Sequence, residues 1–185
     1  MIFHVRLLDL CNFRFTLELI SYCSKTIFPK SLNLPALTSL DLSNFTFCGG
    51  ENDCVEPFSV FTKLNSLVIR GCKVRDAHIL NISSETLVNF AMYYNSSKFD
   101  KIELSTPSLS TFTFHGTPSQ KICGSNLSSI KQVKIYAKMY SNWEKPPMIL
   151  FSWLQDLASV KSLKVSSITL QVPSHDLRLL ILHSS

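Results

Sequence analysis

The chain has 185 residues, 45% of them hydrophobic and 17% charged, which is enough apolar material to bury a domain-sized core and too much for a disordered tail. Its formal charge of +5 arises from 18 basic and 13 acidic residues spread without any Lys or Arg run, which argues against a nucleic-acid binder that tracks phosphates. No apolar stretch approaches the roughly 20 residues of a membrane span, and the opening MIFHVRLLDLCNFRF has neither an uninterrupted apolar run nor a small-residue cleavage site, so the expectation is a soluble cytoplasmic or nuclear protein with no membrane partner.

In chain order, the first predicted element is a strand in IFHVRLLDL at 2–10, centred near residue 7. The second lies in LPALTSLDL at 34–42, centred near 39, and is followed by CGGENDCVEP, a Gly, acidic and Pro cluster that reads as a loop. FTKLNSLVI at 61–69 is the third, centred near 67. Its Leu67 and Ile69 stand too close for one helix face and at the right spacing for two inward residues of a short strand. SETLVNFAM at 84–92 and TPSLSTFTF at 106–114 place strands near 90 and 112, with Ser84 and Thr106 replacing the first apolar residue of the unit. LSSIKQVKI at 127–135 gives a strand near 133, YSNWEKPPM a further loop, and LASVKSLKV at 157–165 a strand near 163. SHDLRLLIL at 174–182 keeps only the last three apolar positions.

These segments are one unit, LxxLxxLxL, repeated. Successive starts differ by 32, 27, 23, 22, 21, 30 and 17 residues, mostly in or near the range of leucine-rich repeats. A unit of this size supplies one strand and returns over the back to lay the next strand beside it in parallel. The expected fold is therefore an α/β solenoid: an irregular leucine-rich repeat stack with a parallel sheet on its concave face. It forms a single domain over 1–185, with about seven repeats over 2–171 and a degenerate end over 172–185. In that end Leu177, Leu180 and Leu182 face the core while Leu179 and Ile181 project from the opposite side, so self-association through the C-terminal end is expected.

Three residues after the last strand residue, a leucine-rich repeat needs a small side chain that bonds the turn backbone. Cys72 in LNSLVIRGCKV stands there, as do Asn95 and Thr117, whereas Phe13, Phe45, Lys138 and Ile168 break the series. Cys72 is thus read as a buried turn residue and not as a nucleophile, since no histidine is placed beside it. Cys11, Cys23, Cys48, Cys54, Cys72 and Cys123 are read as thiols in the absence of an export signal. No CxxC pair occurs and the histidines are isolated, so no metal or other cofactor is expected. The sequons at Asn44, Asn81, Asn95 and Asn126 are taken as chance.

FPKSLNLPALTSLDLSNFTF, followed by FTKLNSLVIRGCKV, resembles the leucine-rich region of plant F-box/LRR-repeat proteins, the group that often ends in an FBD domain; the resemblance runs from about residue 28 to about 171. In that family an F-box docks on the Skp1 adaptor of a cullin ubiquitin ligase and the repeats select the substrate. With no F-box expected ahead of these repeats and no FBD domain after them, the resemblance implies the recognition module without Skp1 binding.

Strand alternation assigns the outward residues. The middle column reads Asp9, Asp41, Val68, Ala91, Thr113, Lys134, Lys164 and Ile181, and the next Cys11, Ser43, Arg70, Tyr93, His115, Tyr136, Ser166 and His183. Arg70, Tyr93, His115 and Tyr136 would form a continuous stripe beside the basic pair Lys134 and Lys164, and Tyr and Arg are the side chains most often found at binding hot spots. With no phosphate loop, no GxSxG and no His beside a carboxylate in a recognisable motif, an enzyme is not expected. The expected function is protein binding on this face, and the competing reading is a degenerate or truncated gene product without independent function.

Overall fold

In a computed structural model the chain is described at residues 3–8, 15–23, 26–29, 32, 34–49, 51–94, 99–125, 127–138 and 147–166. The strands run β1 (Phe3–Leu8), β2 (Phe15–Ser21), β3 (Leu37–Ser43), β4 (Thr46–Cys48), β5 (Cys54–Val55), β6 (Ser66–Arg70), β7 (Lys73–Arg75), β8 (Ile79–Ser83), β9 (Asn89–Tyr93), β10 (Lys101–Ser105), β11 (Thr111–Gly116), β12 (Lys121–Cys123) and β13 (Gln132–Ala137). Helix α1 (Pro147–Asp156) and strand β14 (Ser162–Val165) complete them.

The strands sort into an eight-stranded sheet, β1-β2-β3-β6-β9-β11-β13-β14, a four-stranded sheet, β12-β10-β8-β5, and the pair β4-β7. From β2 onward every pairing in the large sheet is parallel, and so is every pairing in the other two. The chain is a β-solenoid, in which each coil adds one strand to the large sheet and, in the middle coils, one to the sheet behind it.

Alternation drives the stacking. Along β6, β9, β11 and β13 every second side chain is buried: Leu67 and Ile69, Phe90 and Met92, Phe112 and Phe114, Val133 and Ile135. Register then stacks like on like, with Leu40 beside Leu67, Leu67 beside Phe90, Phe90 beside Phe112 and Phe112 beside Val133. Leu80 and Ile82 of β8, Ile102 and Leu104 of β10 and Ile122 of β12 close the core from the other side. Toward the N-terminal coils the core is aromatic: Phe28 meets Phe45 edge-on at 5.9 Å and Phe47 at 5.6 Å, and Phe47 meets Phe58 at 5.4 Å.

The expected strands near 39, 67, 90, 112, 133 and 163 lie side by side in parallel. The strand near 7 does not join them in that way. β1 pairs antiparallel with β2, and β2, in the FRFTLELIS stretch that fits no repeat unit, is the parallel neighbour of β3. With Glu18 aligned on Asp41, the anomalous interval of 32 residues becomes one of 23, in line with the rest. The loop expected at CGGENDCVEP is also more than a loop, since its Cys54–Val55 is β5, the first strand of the rear sheet.

The finer expectation of an α/β leucine-rich repeat stack is not borne out, because the rear of the middle coils is strand and α1, in the C-terminal coil, is the one α-helix among the described residues. α1 lies against β12, at the end of the rear sheet. A proline in the first turn, where no backbone N–H is needed, suits its start, and Leu150, Trp153 and Leu157 are buried at helical spacing. Trp153 stands edge-on to Phe114 at 4.7 Å and donates its indole N–H to the carbonyl of Gln120 at 2.9 Å. At β14 alternation weakens, and Leu163, the partner of the buried Val133, is 39% exposed. The segment from Val172 onward, with its expected self-association, and Asp9, Cys11, Asn95, Ile168, Ile181 and His183 lie outside the described residues.

Candidate interaction face

The outer face of the large sheet carries three columns. The first is neutral and polar throughout: Thr16, Ser39, Ser66, Asn89, Thr111, Gln132 and Ser162. Within it Thr111 Oγ1 donates to Asn89 Oδ1 at 2.6 Å. The second runs Glu18, Asp41, Val68, Ala91, Thr113, Lys134 and Lys164, so that carboxylates stand at one end and ammonium groups at the other. The third runs Ile20, Ser43, Arg70, Tyr93, His115 and Tyr136.

In the third column the side chains stack on each other. The Arg70 guanidinium carbon lies 4.3 Å from the Tyr93 ring centre, a cation–π contact. Tyr93 and His115 stack at 4.6 Å with 20° between ring planes, and His115 and Tyr136 at 4.2 Å with 17°. In-register strands hold their side chains about 4.8 Å apart, which is close to the thickness of stacked rings, so the sheet itself spaces the stack. Arg70, Tyr93, His115 and Tyr136 are thus brought together as expected, and Lys134 and Lys164 are direct neighbours one column over.

The near end of the stack is anchored on Asp41. Arg70 donates Nε to Oδ1 at 3.1 Å and Nη2 to Oδ2 at 3.1 Å, a bidentate pair that fixes the plane of the guanidinium over Tyr93. Hydrogen bonding to Asp41 is the main cause that raises the Arg70 pKa above its already high ordinary value. His115 is pushed the other way: burial between its neighbours, and secondarily the charge of Arg70, lowers its pKa from 6.5. At neutral pH it is therefore an uncharged ring in the stack.

The far side of each strand turns sharply, and backbone geometry there holds the stripe in place. Asn44, Gly71 and Tyr94 occupy one register position and have φ of 63°, 57° and 49°. Each donates its N–H to the next coil's stripe residue: Asn44 to the Arg70 carbonyl, Gly71 to that of Tyr93 and Tyr94 to that of His115, all at 2.8 Å. A side chain at Gly71 would be strained by this left-handed backbone and would bring its Cβ to 2.6 Å from Asn44 Oδ1.

Cys72 follows this corner. It is 2% exposed, and its Sγ lies 3.5 Å from the Arg70 carbonyl and 3.7 Å from that of Leu42. Burial pushes its thiol up to about 11, so it is a protonated turn residue, as its place in the repeat implied. Thr117 reaches the Lys138 carbonyl only at 3.5 Å, and Phe45 in the same series is buried in the core.

The anchoring role of Asp41 was not assigned from sequence, although it stood in the outward list. The signal was there: in aligned strands Arg70 is the diagonal neighbour of Asp41, within reach of a long side chain. Glu18 was missed because β2 fits no repeat unit. Among the described residues no three His, Cys, Asp or Glu side chains gather as a metal site, and no helix is long and apolar enough to cross a membrane.

Fold and face together define a β-solenoid with a preorganised ladder of Arg and aromatic side chains on its large sheet. No family model, no curated protein and no solved structure matches this chain.

Proposed function

We propose that the outer face of the large sheet binds protein partners and that the chain works as a recognition module. The observation that carries this reading is the stack Asp41–Arg70–Tyr93–His115–Tyr136, in which hot-spot residue types are fixed before any partner arrives. Preorganisation lowers the entropy cost of binding, because side chains held by stacking and a bidentate ion pair have little freedom left to lose. The stack presents ring edges, the Tyr and His polar atoms and a guanidinium flank along adjacent strands, next to a column of hydroxyl and amide groups, a surface suited to the mixed polar and apolar groups of a polypeptide.

The LxxLxxLxL repeat carries the reading one step further. In a leucine-rich repeat protein of the F-box type this face would choose the substrate of a ubiquitin ligase, and that is the role we propose for it here.

Selection of a displayed random-peptide library against the full chain tests the binding role. Families of peptides should be enriched on the native chain and lost on Tyr93→Ala/Tyr136→Ala, with each substitution weakening binding by more than about 1 kcal/mol while the chain still unfolds cooperatively, its stability lowered only by the lost ring stacking, about 0.5–1.5 kcal/mol per pair. Equal enrichment on the native and doubly substituted chains would exclude the stack as the binding site.

A further inference from the structure

We propose that the C-terminal part of this face binds an acidic, extended polypeptide segment; this rests on the protein-binding reading above and names the partner's chemistry. The first observation is a repeated spacing. KQVK at 131–134 and KSLK at 161–164 fall on neighbouring strands in register, so Lys134 stands directly opposite Lys164, while Lys131 and Lys161 immediately precede the paired Gln132 and Ser162. Lys131, Lys161 and Lys164 are exposed and Lys134 is half-buried. Lys138, at the other end of β13, is exposed and lies with its Nζ 5.4 Å from the Tyr94 ring centre.

The second observation is the absence of compensation. Strands β9, β11, β13 and β14 contain no Asp or Glu, and none of these five lysines takes part in an ion pair among the described residues. The carboxylates of the large sheet, Glu18 and Asp41, stand at the opposite end, and Asp41 is already engaged by Arg70. Like charges directly across a parallel pair repel, so Lys134 and Lys164 impose a cost on the isolated sheet that carboxylates laid between them would relieve.

The third observation separates polypeptide from nucleic acid. Single-stranded nucleic acids are held by bases stacked on open aromatic faces. Here both faces of His115 are covered by Tyr93 and Tyr136, and Tyr93 lies between His115 and Arg70, so of the three rings only the terminal Tyr136 has a face that no member of the stack covers, too little for a run of stacked bases. An extended chain carrying alternate carboxylates matches what is offered: ammonium groups for its charges, and Asn89, Thr111, Gln132 and Ser162 alongside for its peptide groups.

Fluorescence anisotropy with the full chain tests this, using a labelled peptide that alternates Glu and Ser, its Gln-for-Glu counterpart and a labelled oligouridylate. The Glu peptide should bind best of the three and weaken as salt rises, and Lys134→Glu/Lys164→Glu should cost about tenfold or more in affinity, with Lys134→Gln/Lys164→Gln between it and the native chain. Neither double should melt appreciably below the parent, since these side chains lie outside the core, and the Gln double, which removes the like-charge pair, should melt at or slightly above it. Equal binding of the Glu and Gln peptides, tighter binding of the oligouridylate, or indifference to the Lys substitutions would each overturn the proposal. If the Glu peptide fails while display still enriches neutral peptides that need Tyr93 and Tyr136, the acidic partner is wrong and the binding face stands. Failure of both removes the face as well.

Discussion

His115 sits with one tyrosine ring on each side, and that position decides its charge. Burial disfavours the imidazolium first, and the nearby Arg70 guanidinium disfavours it second, so the folded pKa lies below the unfolded value of 6.5. The unfolded chain then binds the proton more readily. The contribution to stability is complete above 6.5 and is lost as pH falls through that value toward the lower folded one. Thermal melts between about pH 7.5 and 5 should therefore show the native chain losing more stability on acidification than His115→Gln, which cannot take up the proton. Proton NMR of the His115 ring should show an inflection below 6.5, and an inflection at or above that value would contradict the stacking account. Cys72 and Arg70 follow the same logic at neighbouring positions: the thiol is held protonated by burial, and the guanidinium is held charged by Asp41.

At the scale of elements, what the sequence made legible was the repeat, and what it hid was everything that departs from it. Strands with two inward apolar residues at a spacing of two, preceded by a third and fourth at fixed intervals, were readable in the large sheet at β3, β6, β9, β11, β13 and β14 because that spacing serves the stacking directly. β2 was hidden because FRFTLELIS buries Leu17 through a strand without the repeat's leading residues. The rear strands were hidden for a different reason: β5 and β12, of two and three residues, carry too little alternation to be told from loop, and β8 and β10, which alternate as β6 and β9 do, fall in the intervals read as return segments over the back. α1 was masked by the two prolines, Pro146 and Pro147, in the stretch read as a loop, although Leu150, Trp153 and Leu157 recur at helical spacing. Trp153 shows what that helix contributes. Fully buried, edge-on to Phe114 and bonded to the Gln120 carbonyl, it seals the core where the rear sheet stops. Trp153→Ala should cost about 3–5 kcal/mol, and Trp153→Phe much less, about 0.5–1.5 kcal/mol for the lost indole hydrogen bond to the Gln120 carbonyl, with much of the packing kept. Chemical denaturation measures both, and a Trp153→Ala chain as stable as the parent would mean that α1 does not dock.

The whole molecule is a stack in which coils meet their neighbours and little else, and the candidate site inherits that order. The ladder of Arg70, Tyr93, His115 and Tyr136 was legible because register alone lines up every residue that directly follows the inward pair. The charge gradient beside it was only half legible, since its acidic end depends on β2. The same nearest-neighbour order governs stability. Phe90 and Phe112, on adjacent strands, stack with ring centres 5.6 Å apart, and each fills space that the other defines. Leu40 and Val133 are equally buried but are separated in the sheet by β6, β9 and β11. Each of the four residues truncated to Ala should destabilise the chain, by about 2–5 kcal/mol for the larger ones. The difference lies in how the losses combine. Phe90→Ala with Phe112→Ala should depart from additivity by about 0.5–1.5 kcal/mol, the worth of the ring pair, whereas Leu40→Ala with Val133→Ala should add to within about 0.5 kcal/mol. Denaturant titration of both double-mutant cycles reads this out. Strong coupling between Leu40 and Val133 would show that the coils act as one cooperative block, and additivity at Phe90 and Phe112 would show that the stacked rings do not support each other.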